Sequence, residues 1–463
     1  MNDLAGTAEQ AASPSRPTYP FEVKSRDIFR IALPASVAFI TEPLVGIVDI
    51  TVIGRLGDAA LLGGLVLGAL AFDVIFSLAY FLRLGTAGLT AQAIGARDPH
   101  DGLMHASRAI LVAVILGALL IALSHPILWI ADRLLAPAPG VDRALATYLL
   151  TRIWTAPFSL INYALLGWFY GRGNARTGMS LQILIHGVNM VLNLLFVFGL
   201  GWGVAGTAFA TVCANAAAAL AGLYLLARHF GGVRKLFSLM EMPALFDTAA
   251  LRRMFGLSRD ITIRSGALMA SYAYFAAQGS RMGEVALAGN AILLNFLMIM
   301  AFFLDGLAQA AEQLTGKAVG ANWRPAFERA VKLSLGWGVM IGLALTTFAF
   351  IAGPSLVDLM TTSAPVRQHA HFYLALAAVT GITGMSAFVM DGVVSGATLN
   401  MVMRNGMILA LLVFLVSAIL LQQMVGNTGL WLAMNIFFIA RGGILWWGME
   451  RRKAGLFSAQ TGE

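Results

Sequence analysis

Ionisable side chains inside long apolar stretches are the residues of this sequence that could do chemistry, because each costs several kcal/mol unless it meets a wet cavity or a partner. The run EPLVGIVDITVIGRLG holds Glu42 and Asp49 seven residues apart, on one face of a helix. Pro34 and Pro43 in the same segment free backbone carbonyls where that helix can bend. Asp49 lies near the end of its stretch, at a depth where a carboxylate can take up and release a proton; it could equally be a hydrogen-bond acceptor tying helices together. Further on come His186, then Asn189 and Asn193 four apart on one face, then Thr211. Their oxygens can ligate Na⁺ or hold a proton in a hydrogen-bonded network, and such residues also serve as glue between membrane helices. The later run LDGLAQAAEQLTGK sets Asp305, Gln309 and Glu312 on the densest polar stripe of the chain. Arg264 calls for a carboxylate partner, and Asp305 or Glu312 is the one expected. Asp391 reads either as a coupling acid or as an anchor of a helix end. Asp73 and Arg83 stand ten residues apart, too far along a helix to pair.

The elements that position these residues follow from composition. With 59% hydrophobic and 12% charged residues and a mean hydropathy of +0.78, the 463-residue chain has about half the charge of a soluble domain and reads as a polytopic membrane protein. Soluble enzymes and DNA-binding modules are excluded, and the charge of +8 reports topology rather than nucleic acid. Stretches of roughly 20 apolar residues predict twelve helices, over 27–54, 59–84, 105–131, 147–170, 178–199, 204–228, 254–278, 285–316, 327–352, 370–394, 401–424 and 428–449. About 23 Lys and Arg fall on one side of this arrangement, and six (Arg55, Arg133, Arg143, Arg152, Arg281 and Arg367) on the other. That asymmetry places both termini in the cytoplasm, with residues 1–25 and 451–463 as tails, the first expected to be disordered. The plasma membrane, a bacterial inner membrane, is the expected location.

The second half repeats the first. RLGDAALLG from Arg55 matches RMGEVALAG from Arg281, and LTAQAIGA from Leu89 matches LTGKAVGA from Leu314, at a spacing of about 225. Six helices per half give two bundles of like topology, a lobe over 26–230 and another over 254–450 joined by a linker at 231–253, facing each other across a cleft. That is transporter architecture. No motif supports covalent catalysis: there is no His/Glu zinc motif and no nucleophile elbow. GWGVAG from Gly201 lies between two membrane helices without a preceding strand, so it is not a nucleotide site. The single cysteine, Cys213, allows no internal disulfide. Met298, Met300, Phe302 and Phe303 are expected to give the cleft a soft wall for variable cargo.

The first-helix run, with LRLGTAGLTAQAIGA, LSRDITIRS, LDGLAQAAEQLTGKAVGA and MDGVVSGATLNMVMRN, resembles the multidrug and toxic compound extrusion (MATE) family, closest to its DinF branch, over residues 25 to 450. The resemblance implies a V-shaped, all-α, two-lobe antiporter that exports organic, often cationic, compounds against H⁺ or Na⁺, and no enzyme or further cofactor. It also implies a coupling site in the first lobe on Asp49, Asn189, Asn193 and Thr211, with Glu42 beside it, and a possible Na⁺ at Asp49, Asn189 and Asn193. Relatives commonly have aspartate where this chain has Asn193, which leaves Asp49 as the only acid of the set and favours H⁺. In another branch the coupling carboxylates are in the second lobe on the seventh and tenth helices; here the seventh offers Arg264 instead. The expected partners are a small-molecule substrate and the bilayer, with no nucleic acid, for a monomeric chain. The alternatives are a flippase for lipid-linked precursors, whose cavity would need cations for pyrophosphate, and a membrane scaffold that transports nothing.

Overall fold

The computed structural model of the chain describes residues 17–239 and 242–457. Helix is the only regular structure among them, as lipid requires, since a backbone in hydrocarbon must satisfy its polar groups within its own segment. The first lobe comprises α1 (Ser25–Gly54), α2 (Ala59–Leu78), α3 (Phe81–Gly95), α4 (Pro99–Ala122), α5 (Ser124–Leu135), α6 (Val141–Arg152), α7 (Ala156–Gly171), α8 (Ala175–Leu194) and α9 (Gly203–His229). Two short helices, α10 (Val233–Leu239) and α11 (Met242–Leu245), make the connection. The second lobe comprises α12 (Thr248–Arg281), α13 (Glu284–Gly320), α14 (Arg324–Met360), α15 (Ala364–Ala378), α16 (Thr380–Gly396), α17 (Asn400–Val425) and α18 (Asn427–Lys453).

Among the described residues nine helical segments are long and apolar enough to cross a membrane, ten when α15 and α16, bent by 45°, count as one. The two remaining expected spans fall on α6 with α7 and on α12. A 3-10 turn at Ile153–Thr155, followed by Pro157, interrupts the first of these. The second carries Arg252, Arg259, Asp260 and Arg264. Large apolar side chains such as Leu33, Ile115, Leu359 and Phe372 are exposed on the outside of the bundles, where only lipid would make them comfortable.

The internal repeat is written in the closest helix crossings. A Cβ on Gly95 would lie 2.0 Å from the carbonyl of Lys317, and one on Gly320 would lie 1.8 Å from the carbonyl of Gln92. Residue 317 is 225 after 92 and 320 is 225 after 95, so one contact is the image of the other about an axis between the lobes. Within the lobes the same register recurs: Gly171 meets the carbonyl of Ala87 as Gly396 meets that of Glu312. Only glycine permits these backbones to approach so closely. The Gly95 and Gly320 crossing closes the lobes against one another on the side that carries both chain ends. Gln92 Nε2 adds a hydrogen bond to the carbonyl of Gly396 (2.9 Å) there.

The first tail departs from expectation where it is described. Residues 17–24 are not loose but lie extended across this closure: the Tyr19 amide donates to the carbonyl of Ala321 (2.9 Å), Arg97 sits over the Tyr19 ring, Lys317 sits over the Phe21 ring, and Val23 is buried. Aromatic rings under cations and a buried valine give this segment the enthalpy to stay put. At the other end α18 continues to Lys453, and Phe457 packs edge-on against Phe327. Residues 1–16 and 458–463, the rest of the expected tails, lie outside the described residues.

Candidate functional site

Between the lobes lies a cavity of about 990 Å³, lined from the first lobe by α1, α2, α3, α6, α7, α8 and α9 and from the second by α12, α13, α16, α17 and α18. It brings together six carboxylates (Glu42, Asp49, Asp73, Asp305, Glu312 and Asp391) and four guanidiniums (Arg83, Arg152, Arg264 and Arg441). An organic molecule of drug size fits such a volume.

In the first lobe α1 passes through Pro34 and Pro43 without ending, and Pro43 itself lines the cavity. Proline at 43 leaves the carbonyl of Phe39 without its helical donor, a weak point about one turn from Glu42 and about three from Asp49. Asp49 is buried, and its Oδ1 accepts a short hydrogen bond from Asn193 Nδ2. Asn193 Oδ1 in turn accepts from Thr207 Oγ1 (3.0 Å). The carbonyl of Thr207 takes the Thr211 hydroxyl (3.2 Å), and that hydroxyl accepts from Asn189 Nδ2 (3.0 Å). Asp49, Asn189, Asn193 and Thr211 are therefore one network, with Thr207 as its link, and among the described residues the hydrogen-bond donor to the carboxylate is a neutral amide. The network continues through Asn215 Nδ2, which donates to the Thr211 carbonyl, to Ser159 and Asn162 of α7. Thr207, Asn215, Ser159 and Asn162 were not singled out from sequence, although Thr207, Thr211 and Asn215 form an i, i+4, i+8 stripe that points to them.

Glu42 and Asp73 face the cavity from α1 and α2 and make no hydrogen bond or ion pair with a described residue. His186 lines it as well, with both ring nitrogens buried and unpartnered, as is Asn189 Oδ1. Arg152, expected on the outer surface, instead closes α6 inside the cavity wall. It donates to the Tyr148 hydroxyl and lies over the Phe72 and Tyr148 rings.

The second lobe is built differently. Arg264 does not pair with Asp305 or Glu312; its Nη1 meets Asp391 Oδ2 at 3.0 Å, and Arg441 Nη2 closes on the same oxygen. Asp391 is thus no loop anchor but a carboxylate clamped in the cavity wall by two guanidiniums. Helix geometry explains the choice: α12, α16 and α18 converge there, whereas Glu312 points into the seam between α13 and α16. It accepts from Ser395 Oγ (2.6 Å) and from Gln309 Nε2 (2.8 Å) and is almost wholly buried. Asp305 lines the cavity with no described partner. Arg441 was missed, though a lone arginine in FFIARGGILWW is a signal of the same kind as Arg264.

Of the four side chains expected to form a soft cargo wall, only Phe302 lines the cavity. Met300 and Met298 pack into the second lobe's cores and Phe303 is exposed. The aromatic wall comes instead from Phe76, Tyr80, Tyr148, Tyr163 and Phe388, with Met269 and Met403. Among the described residues no group of three His, Cys, Asp or Glu side chains is arranged to hold a metal ion.

A family model described as MatE matches residues 34–195 and 268–424. The chain is 34% identical over 427 residues to the DNA damage-inducible protein F of Escherichia coli (strain K12), covering 90% of each. It is 22% identical over 403 residues to the multidrug export protein MepA of Staphylococcus aureus (strain NCTC 8325 / PS 47), covering 85% of this chain and 87% of that one. A solved structure, described as the outward-facing conformation of a multidrug resistance MATE family transporter of the MOP superfamily, superposes with a TM-score of 0.85 at 20% identity, covering 93% of this chain and 96% of that one. Two lobes related by one repeat, a polar cavity between them and these matches lead to one statement: the chain belongs to the MatE family of membrane transporters, in its DinF branch.

Proposed function

We propose that this chain is a secondary antiporter that exports organic cationic or amphipathic compounds in exchange for H⁺. The observation that carries the reading is Asp49, a buried carboxylate that faces the cargo cavity and, among the described residues, accepts its hydrogen bond from the neutral amide of Asn193 and forms no ion pair, with the Arg152 guanidinium elsewhere in the same cavity wall. With no cation clamped on it, its charge is free to change. Deprotonated, it joins the five other carboxylates that face four guanidiniums across the cavity and draws in a cation; protonated, it weakens that pull and lets the cargo go. The Pro43 discontinuity gives α1 a place to bend as the network rearranges.

Asn193 supports H⁺ over Na⁺. Its amide nitrogen is turned toward Asp49, where a bound Na⁺ would need an oxygen, and its oxygen is already engaged by Thr207. One proton entering down about 100 mV supplies about 2.3 kcal/mol to the export of a compound without net charge, roughly a fifty-fold gradient, whereas a monocation exchanged one for one is driven by the pH difference alone. The names of multidrug export relatives agree with such a role. A flippase for pyrophosphate-bearing lipid is less well supported: two of the four guanidiniums are held by Asp391 and a third by Tyr148.

With both termini in the cytoplasm of a bacterial cell, the closure at Gly95 and Gly320 is on the inside and the cavity faces out. The test is efflux of a fluorescent lipophilic cation from proteoliposomes under separately imposed pH and Na⁺ gradients. The reading expects efflux driven by the pH gradient in the parent and lost in Asp49→Asn; efflux driven by Na⁺ alone, or untouched by the substitution, overturns it.

A further inference from the structure

Two of the cavity's four guanidiniums are paired with a carboxylate and a third, Arg152, is held close by the Tyr148 hydroxyl, which leaves Arg83 the most weakly held. Arg83 lies on α3 in the cavity wall, 94% buried by its relative exposure of 6%. Among the described residues its only hydrogen bond is a long one, Nη2 to Gln309 Oε1 across the cleft at 3.4 Å, and its Nε has no partner there. No carboxylate of the described residues is in ion-pair contact with it. Arg264 and Arg441 share Asp391, and Arg152 is held by Tyr148. Burying a guanidinium with most of its donors unspent is costly, yet this one is held firmly in place. Phe39 and Tyr80 present their ring faces to it at 4.5 and 4.8 Å, and Tyr170 lies at 5.5 Å. Tyr170 is itself fixed, its hydroxyl donating to Gln182 Oε1 (3.0 Å). Rings that stack on a guanidinium fix its plane and leave its edge free, and that edge is the part that recognises a planar oxyanion through two parallel hydrogen bonds.

We infer that Arg83 is a subsite for an acidic group of the cargo, so that the cavity takes zwitterionic organic compounds: an oxyanion on Arg83 and a cationic centre on the unpartnered carboxylates of the same cavity, Glu42, Asp73 and Asp305. The inference rests on the exporter reading above and sharpens its substrate class. Cargo that carries both charges satisfies a guanidinium that, among the described residues, has no carboxylate and only one long hydrogen bond, whereas a simple cation leaves it so and is repelled by it. Gln309, which reaches Arg83 from the opposite lobe, then competes with the oxyanion for the same edge, so cargo bound there loosens a contact between the lobes.

The test uses two dyes with one ring system: tetramethylrhodamine, which keeps its carboxylate and is a zwitterion, and its methyl ester, a monocation. Binding of each to the full chain in detergent is followed by fluorescence anisotropy. The parent is expected to bind the zwitterion more tightly than the ester. Arg83→Gln is expected to weaken the zwitterion tenfold or more and to tighten the ester two- to threefold, because a repelling charge has gone. Arg83→Lys, which keeps the charge but loses the fork, should recover part of the zwitterion's affinity. Shifts of both dyes in the same direction, or a zwitterion indifferent to Arg83→Gln or bound no better than the ester by the parent, overturn the inference. If Arg83→Gln does not fold, the parent's preference and Arg83→Lys decide the matter. If neither dye binds the parent, this inference falls; the exporter reading is judged separately, by the gradient-driven efflux of a lipophilic cation.

Discussion

The two lobes share a backbone and differ in what they do with charge. Gly95 and Gly320, or Gly171 and Gly396, make the same contacts at a spacing of 225, so the helix crossings are copies. The polar residues are not. In the register that sets Arg55 against Arg281, position 49 is aspartate in the first lobe and its counterpart, Phe275, is an aromatic, and Arg264 answers to Ala38; farther along, Asp391 answers to Leu166 and Arg441 to Ala216. In the first lobe the buried acid is held by an amide whose oxygen is held by a hydroxyl. In the second, the clamped acid is held by two guanidiniums. Neutral partners leave a carboxylate able to change its charge, whereas two cations fix it. One scaffold thus carries a switch on one side and a fixed charge on the other.

Removing the charge should therefore have opposite consequences in the two lobes. Asp391→Asn leaves two buried guanidiniums uncompensated and should cost about 3–5 kcal/mol, seen as a collapse of folded yield and a large fall in Tm. Asp49→Asn keeps neutral partners around a neutral group and should leave Tm within a few degrees of the parent while abolishing pH-driven efflux. Equal losses of stability in both would break the contrast.

The repeat itself can be probed at the closure. Gly320→Ala and Gly95→Ala place a methyl group where backbone carbonyls stand at 1.8 and 2.0 Å. Each should disfavour the closed arrangement by about 1–3 kcal/mol, and spin labels on the loops after α3 and α13 should report longer distances in both variants. An effect confined to one of the pair would mean that the closure is not symmetric.

A smaller effect is expected at Thr207→Val, which removes the donor to Asn193 Oδ1 at a cost of about 1 kcal/mol. It should move the pH at which efflux is half-maximal without abolishing transport. An unmoved pH profile would detach Thr207 from the switch. Least of all, Tyr19→Ala removes one ring from the docked segment ahead of α1 and should weaken the closure by about 0.5–1 kcal/mol, read by the same spin-label distances.

Much of this site was legible in the sequence because charge in an apolar stretch announces itself. Asp49, Asn189, Asn193 and Thr211 were readable from helical spacing and from resemblance to the family, and the structure joins them. What the sequence withheld was which way each helix faces its neighbours. Arg264 turned to Asp391 because α12, α16 and α18 converge, a fact no spacing within one helix contains. Arg152 was counted with the charges of the outer side, and only the break of its helix at the 3-10 turn sets it in the cavity wall. Apolar residues were the hardest. In a membrane protein Phe302, Phe303 and Met300 are chemically alike, and only the fold decides that one meets cargo, one the exterior and one a core.

The central claim, that Asp49 is the group whose protonation is exchanged for cargo, is tested most directly by measuring protons released when a lipophilic cation binds the detergent-solubilised chain in weakly buffered solution. The account predicts release of up to about one proton per cargo bound by the parent and none by Asp49→Asn, measured at cargo concentrations raised to offset that variant's weaker binding. Undiminished release from Asp49→Asn would contradict it.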